Sequence, residues 1–345
     1  MDASSRVLPI LSRAARAIRS IPGGNALVDG GAVVFAGHRV ASLDPSGVRA
    51  NEGLKVTPEY LDSFVRAVRA IGYTFVSLDT LVEEVLAGRK TRGLAALTFD
   101  DGYKDNVRYG LPVLERLKAP FTVYALCGTE HRRAFLWWFA LEAYMRTRTS
   151  IRLADGKVMD CRTAERRNRV FTSVRGMFLL RAGLDARSFL RTLLPGIDAA
   201  LSAGDPDGHI MDDSELRFLS QSPLATIGCH TTSHPNLAHL TEMEARAELV
   251  DSKACLEKAI GKEVRHVAFP FGGRAHAGQR EYRLASRAGF VTAATMIAGA
   301  VARGDVCCLL HLPRIPMRQG ATPLELVAEN RARTWIAHVR RLVTA

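Results

Sequence analysis

Residues 94–99, Leu-Ala-Ala-Leu-Thr-Phe, form an apolar run that breaks abruptly into Asp100-Asp101-Gly102. Such a run reads as a strand buried on both faces, and Asp and Gly directly after it mark the strand's C-terminal end. Strands buried on both faces belong to parallel sheets covered by helices, and in that architecture ligands gather at the carboxyl rim. Two adjacent carboxylates there can divide the work, one holding a metal and the other moving protons. The competing reading is a simple turn in which one Asp caps the next helix. The rest of the chain has to discriminate.

Along the sequence, strand and helix patterns alternate. Residues 32–36 read as a strand ending at His38. A helix follows from Thr57, with Pro58 at its first position and Leu61, Phe64, Val65 and Val68 on one face. Residues 73–78 read as a strand, 81–86 as a helix, 106–117 as a helix and 120–126 as a strand. From 130 to 220 the rhythm breaks. This stretch carries the aromatic run Phe135-Leu136-Trp137-Trp138-Phe139 and the arginines Arg162, Arg166, Arg167 and Arg169, and it reads as a mostly helical insertion. The βα rhythm resumes with strands at 225–228, 266–269, 290–296 and 309–312. Between them fall a capping-box helix from Thr241, with Glu244 at its third position, and a helix at 282–288. Residues 324–342 read as a terminal helix. Alternation of this kind predicts parallel strands with right-handed crossovers and suits a closed or nearly closed barrel.

The 345 residues suffice for one large α/β domain with an insertion, and the net charge of +12 points to an anionic partner or to mere solubility. No nucleic-acid motif accompanies the charge. Residues 1–29 read as a basic amphipathic helix, suited either to an anionic membrane surface or to packing on the domain. The six cysteines show no paired spacing, so free thiols in a reducing, cytoplasmic setting are expected.

His230 and His234 stand four residues apart, but Thr-Thr-Ser between them and Pro235 after them disfavour a helix. A loop after a strand can turn both imidazoles toward one ion, and two His with one carboxylate leave coordination positions open for catalysis.

Thr98-Phe99-Asp100-Asp101-Gly102, His230-Thr231-Thr232-Ser233-His234-Pro235 and Phe269-Pro270-Phe271-Gly272, in that order, resemble the first three motifs of the polysaccharide deacetylases, the NodB-homology enzymes of carbohydrate esterase family 4. The resemblance covers residues 30–125 and 222–317. It implies a distorted (β/α)7-like barrel over 30–345, interrupted by the helical insertion. It also implies metal-assisted hydrolysis of an N-acetyl group on an amino sugar, with a divalent cation, usually Zn2+. By that resemblance Asp101, His230 and His234 are the metal ligands, Asp100 is the catalytic base, and the Phe271 backbone N–H, framed by Pro270 and Gly272, serves the oxyanion. His311, in Leu309-Leu310-His311, resembles the late histidine that protonates the leaving amine. The family's usual arginine before the third motif is Ala268 here, so Arg265, Arg274 or Arg314 would have to supply that charge. Arg314 and His38 are also candidate substrate contacts.

The expected partner is an N-acetylated saccharide, anionic or lipid-linked, met at the inner face of a membrane, with no nucleic acid. A catalytically silent glycan- or membrane-binding protein on the same barrel, motivated by Ala268, is the alternative. A metal-dependent amidase acting on another small amide is a third reading.

Overall fold

The computed structural model describes residues 31–126, 136–180, 186–203 and 208–344. The expected N-terminal helix lies outside these residues. Among the described residues there are twelve strands: β1 (Val33–Gly37), β2 (Arg39–Val40), β3 (Lys55–Val56), β4 (Thr74–Phe75), β5 (Leu94–Phe99), β6 (Phe121–Ala125), β7 (Ser150–Arg152), β8 (Val158–Asp160), β9 (Ala225–Cys229), β10 (His266–Ala268), β11 (Thr292–Ala294) and β12 (Ile315–Pro316). The principal sheet is parallel, in the order β11-β10-β9-β6-β5-β1-β12, with β4 also paired to β5. A further parallel bridge joins Ala294 to Leu312, just upstream of β12, so the two ends of the curled sheet meet. The result is a distorted (β/α)7-like barrel.

Side-chain alternation explains why the strands read as unbroken apolar runs. Val33, Phe35, Leu97, Phe99, Phe121, Val123, Ile227 and Val267 face the helical layer, where they pack with Leu61, Phe64, Leu249 and Leu284. Val34, Ala96, Tyr124, Ala268 and Ala294 fall in a separate interior cluster of smaller residues, joined by Leu78, Leu81, Val82 and Val85. Both faces are covered, so neither tolerates polar residues until the strand ends.

The helices start where the caps said they would. Thr57 accepts from the Tyr60 N–H and opens the helix Pro58–Ala70, and Thr241 with Glu244 completes a capping box on the helix Glu242–Ile260. Two expectations need correction. Residues 73–78 yield only the short β4, because Ser77 accepts from the Thr80 N–H and starts the helix Leu78–Leu86. Residues 309–312 are not a strand: Val306–His311 is a 3-10 helix capped by Asp305, and the strand follows as β12.

Between β6 and β9 lie the helices Trp137–Arg146, Ala164–Leu179, Ala186–Leu193, Asp198–Ala203 and Asp213–Gln221, together with the antiparallel β7–β8 hairpin. Trp137, Trp138, Leu141, Phe171, Val174, Phe178 and Leu190 build a core of their own, which also takes in Val48, Tyr103 and Leu126. Glu142 fastens it to the barrel by accepting from the Val48 N–H at 2.9 Å and from Asn51 Nδ2 at 2.6 Å.

Cys161, Cys229, Cys307 and Cys308 are free, but Cys255 is disulfide-bonded. The expectation of free thiols throughout is therefore wrong, and with it goes the thiol argument for a reducing compartment. No described helix is long and apolar enough to cross a membrane.

Candidate active site

The rim residues are fixed by strand register. Gly37 of β1 pairs with Phe99 of β5, and the Asp100 N–H donates to the Gly37 carbonyl at 3.0 Å, so His38 and Asp100 leave their strands side by side. His38 Nε2 stands 4.0 Å from Asp100 Oδ2. Asn106 Nδ2 donates to the His38 carbonyl at 2.9 Å and so ties His38 to the turn that carries the aspartates. Directly after β9, the His230 N–H donates to the Ala125 carbonyl at 2.8 Å. The loop after it is anchored by Glu248, which accepts from the Thr232 and Ser233 N–H groups at 2.8 and 3.0 Å.

This brings Asp101, His230 and His234 together. Asp101 Oδ1 lies 3.3 Å from His230 Nε2 and 3.5 Å from His234 Nε2. All three side chains are buried or nearly so, and Asp101 Oδ1 has no hydrogen-bond partner among the described residues. Ligands about 2.1 Å from one ion at ordinary coordination angles stand about 3.0–3.4 Å apart. The spacing and the orphaned oxygen therefore fit a shared divalent cation better than a set of hydrogen bonds. The His230 Nδ1–H donates to the Ala268 carbonyl at 2.8 Å, which leaves Nε2 with its lone pair toward Asp101, the orientation a metal ligand needs. Ala268 thus contributes its backbone, whatever its side chain lacks.

The electrostatics follow from burial and pairing. Burial drives the His234 imidazole down to about 4, so it is neutral and able to coordinate. Burial also opposes the ionised form of Asp101, but the His230 and His234 imidazoles beside it hold the carboxyl below its ordinary value. For His230, burial is outweighed by Asp101 and Asp100, and its pKa rises.

Asp100 is buried, which pushes its carboxyl up, but the Arg314 guanidinium, helped by His230 and His38, more than reverses this. Arg314 Nη1 and Nη2 donate to Asp100 Oδ1 and Oδ2 at 2.6 and 2.8 Å, and Nε donates to the Thr295 carbonyl at 3.0 Å. Of the three arginines considered for the charge missing at Ala268, Arg314 is the one at the base, while Arg265 pairs with Asp79. Its expected place among the substrate contacts is corrected: the side chain is fully buried and cannot reach a ligand.

The third motif forms a tight turn around Phe271, whose φ of 61° lies in the left-handed region, with the Gly272 N–H donating to the Pro270 carbonyl at 2.7 Å. The Phe271 N–H has no acceptor among the described residues and is free to serve an oxyanion. Pro270 and Gly272 frame it without lining the pocket. Gly272 is required there by its φ of 60° and because a Cβ would stand 2.6 Å from the Met296 nitrogen. Of the five non-glycine residues with positive φ among those described, Asp101, Thr231, His234 and Phe271 belong to this site and only Lys118 does not. Strained backbone concentrates where side chains are aimed at function.

His311 stands apart. It does not line the pocket, and its ring lies 5.6 Å from that of Tyr282 on the helix Gln279–Arg287. The proton donor expected from the Leu309-Leu310-His311 resemblance therefore does not line this cavity, and the segment that carries it is a 3-10 helix.

The rim opens into a cavity of about 460 Å³, within the usual range for small-ligand sites. One wall holds His38, Asp100, Asp101, His230, His234 and Phe271, and the insertion supplies Trp137, Trp138, Phe171, Thr172 and Arg175. Trp138 and Phe271 flank the His234 ring at 5.1 and 4.8 Å between centroids. Asn51 and Leu54 complete the rim. The aromatic run at 135–139 was visible in the sequence, whereas Asn51, Phe171, Arg175 and Met296 carried no signal.

The model of the polysaccharide deacetylase family matches residues 87–136 and 197–291. No protein of curated function aligns with the sequence. Among solved structures, the deacetylase PplD of Streptococcus pyogenes, determined with acetate, is 18% identical and covers 86% of this chain and 97% of its own, with a TM-score of 0.56. IcaB of Ammonifex degensii is 16% identical over 88% of this chain and 97% of its own, with a TM-score of 0.53. A polysaccharide deacetylase of Bacillus cereus is 19% identical over 87% of this chain and 68% of its own, with a TM-score of 0.54. At these identities the structures speak for the fold. With its matched segments flanking the helical middle, its motifs in order and its barrel of the same kind, the chain is similar to the polysaccharide deacetylases in both sequence motifs and fold.

Proposed function

We propose that this chain is a metal-dependent hydrolase that removes the N-acetyl group from an amino sugar in a saccharide. The convergence of Asp101, His230 and His234 beside an arginine-paired Asp100 carries this reading. Asp101, His230 and His234 would hold the cation, with Zn2+ the first choice for two imidazoles and one carboxylate. When bound, it supplies Lewis-acid activation of the attacking water and of the acetamide carbonyl.

The chain's own groups account for the rest. Asp100, kept ionised by Arg314, takes a proton from water as the new C–O bond forms. The Phe271 N–H donates to the oxygen that gains charge. The C–N bond then breaks while a proton passes to the amine, giving acetate and a free amino group. Among the ionisable residues lining the pocket, Asp100, now carrying the water's proton, and His38 are the two able to make that donation: Asp101, His230 and His234 serve the metal, and Arg175 does not release its proton. Ala268 motivated the catalytically silent alternative, but Arg314 meets the need that Ala268 leaves.

The net charge of +12 supports an anionic or lipid-linked saccharide and peripheral contact with an anionic membrane. Zinc-loaded protein should release acetate from N-acetylglucosamine oligomers, and Asp100→Asn should not. Release that persists in Asp100→Asn and after chelation would defeat the hydrolase reading. Binding to anionic vesicles should weaken with added salt, and salt-independent binding would remove the electrostatic part of the proposal.

A further inference from the structure

The arginines of the insertion are mostly used within the protein. Arg162 and Arg166 pair with Asp160, Arg169 pairs with Glu165, and Arg167 donates to the Cys161 and Ser46 carbonyls. Arg175, on the helix Ala164–Leu179, differs. It lines the pocket and makes no hydrogen bond or ion pair among the described residues. Its guanidinium carbon stands 5.8 Å from the Phe271 ring centroid, and the Phe271 ring is in turn 4.8 Å from that of His234. Arg175 is an exposed residue, though neighbours crowd its guanidinium enough to lower its pKa. A guanidinium that lines a cavity with its donors unpaired can form charge-assisted hydrogen bonds with an incoming anion.

A second residue that lines the same cavity carries an unpaired donor, itself buried. Trp137 is 3% exposed, its ring is stacked on Phe171, and its indole N–H has no acceptor among the described residues. By contrast, the Trp138 indole donates to the Tyr103 hydroxyl at 3.2 Å. A neutral N-acetylhexosamine offers these two donors hydroxyls but no charge. A carboxylate or phosphate offers two coplanar oxygens that suit the guanidinium fork.

We propose that Arg175, assisted by the Trp137 N–H, is a specificity-determining pair that reads an oxyanionic substituent, carboxylate or phosphate, on the saccharide close to the N-acetyl group. This rests on the deacetylase reading for its substrate class, but the recognition itself can be measured without turnover.

The experiment is equilibrium binding to the chelator-treated, metal-free protein, followed by intrinsic tryptophan fluorescence. The probes are N-acetylglucosamine, N-acetylmuramic acid and N-acetylglucosamine 1-phosphate. Both anionic sugars should bind wild type at least about tenfold more tightly than the neutral one. Arg175→Met should collapse the ratio to within about twofold, Arg175→Lys should retain part of it, and added salt should weaken the anionic sugars selectively. Whichever of the two anionic sugars shows the larger ratio identifies the substituent as carboxylate or phosphate. Equal binding of neutral and anionic sugars by wild type, a preference that survives Arg175→Met, or no binding of any probe at millimolar concentration would overturn the proposal. The preference without any acetate release would defeat the deacetylase reading and leave the role of Arg175 standing. Acetate release with no discrimination would do the reverse.

Discussion

Replacing Arg314 with methionine removes four hydrogen bonds at once. The side chain is fully buried, and besides its two bonds to Asp100 and one to the Thr295 carbonyl it donates to Thr98 Oγ1 at 3.3 Å. Methionine keeps much of the volume and none of the donors, so Asp100 is left as a lone carboxylate in a dry site. Removing one partner of a buried ion pair costs about 3–5 kcal/mol. Unfolding entropy near 2.1 cal/mol/K per residue amounts to about 0.7 kcal/mol/K over 345 residues. The melting temperature of Arg314→Met should therefore fall by roughly 4–7 °C. Acetate release should drop about a hundredfold or more, the range associated with a misplaced general base. Adding Asp100→Leu removes the stranded charge, so the double variant should regain much of the lost stability and none of the activity. Differential scanning fluorimetry and an acetate assay check both halves. A single variant that melts within about 1 °C of wild type, or a double variant that melts below the single one, would refute the buried-pair reasoning.

The other expectations can be stated briefly. Chelation should abolish acetate release, and Zn2+ should raise the melting temperature of wild type but not of Asp101→Asn, as a thermal-shift titration would reveal. His38→Gln should lower kcat about a hundredfold with a smaller change in KM, whereas His311→Gln should alter neither beyond about twofold; steady-state kinetics on both variants distinguishes the two histidines. Asp79 is held below its ordinary value by its hydrogen bond from His266, so it contributes stability above the unfolded Asp pKa of about 3.9 that is lost as pH falls through the folded one. The melting-temperature gap between wild type and Asp79→Asn should be present at neutral pH and close in acid. Gly272→Ala should destabilise by about 1–3 kcal/mol, read from denaturant unfolding, because it imposes strain at positive φ and a contact with the Met296 nitrogen.

Much of this arrangement was legible because parallel strands leave an unambiguous mark. The apolar runs at β1, β5, β6 and β9 are buried on both faces, and the first polar residue after each tends to fall on the rim. Helix starts were equally plain where Thr57 and Thr241 cap them. What stayed hidden was spatial. Nothing in the sequence ranks Arg314 above Arg265 or Arg274, since the choice depends on which strand end lies under Asp100 once the sheet has curled. The strand expected at 309–312 failed for a local reason: Asp305 caps a 3-10 turn through residues that look apolar enough for a strand. Asn51, Phe171 and Arg175 escaped because a pocket wall supplied by another layer has no fixed spacing from the motifs it faces.

The separate hydrophobic core of the insertion has a practical consequence. The groups assigned to bond breaking hang from the barrel strands, while much of the opposing wall rests on packing among Trp137, Phe171, Val174 and Phe178. Sequence change in that layer can reshape the sugar-facing surface without disturbing the side chains that keep the barrel closed. Variation in which saccharide is accepted should therefore accumulate there first, leaving the reacting geometry intact.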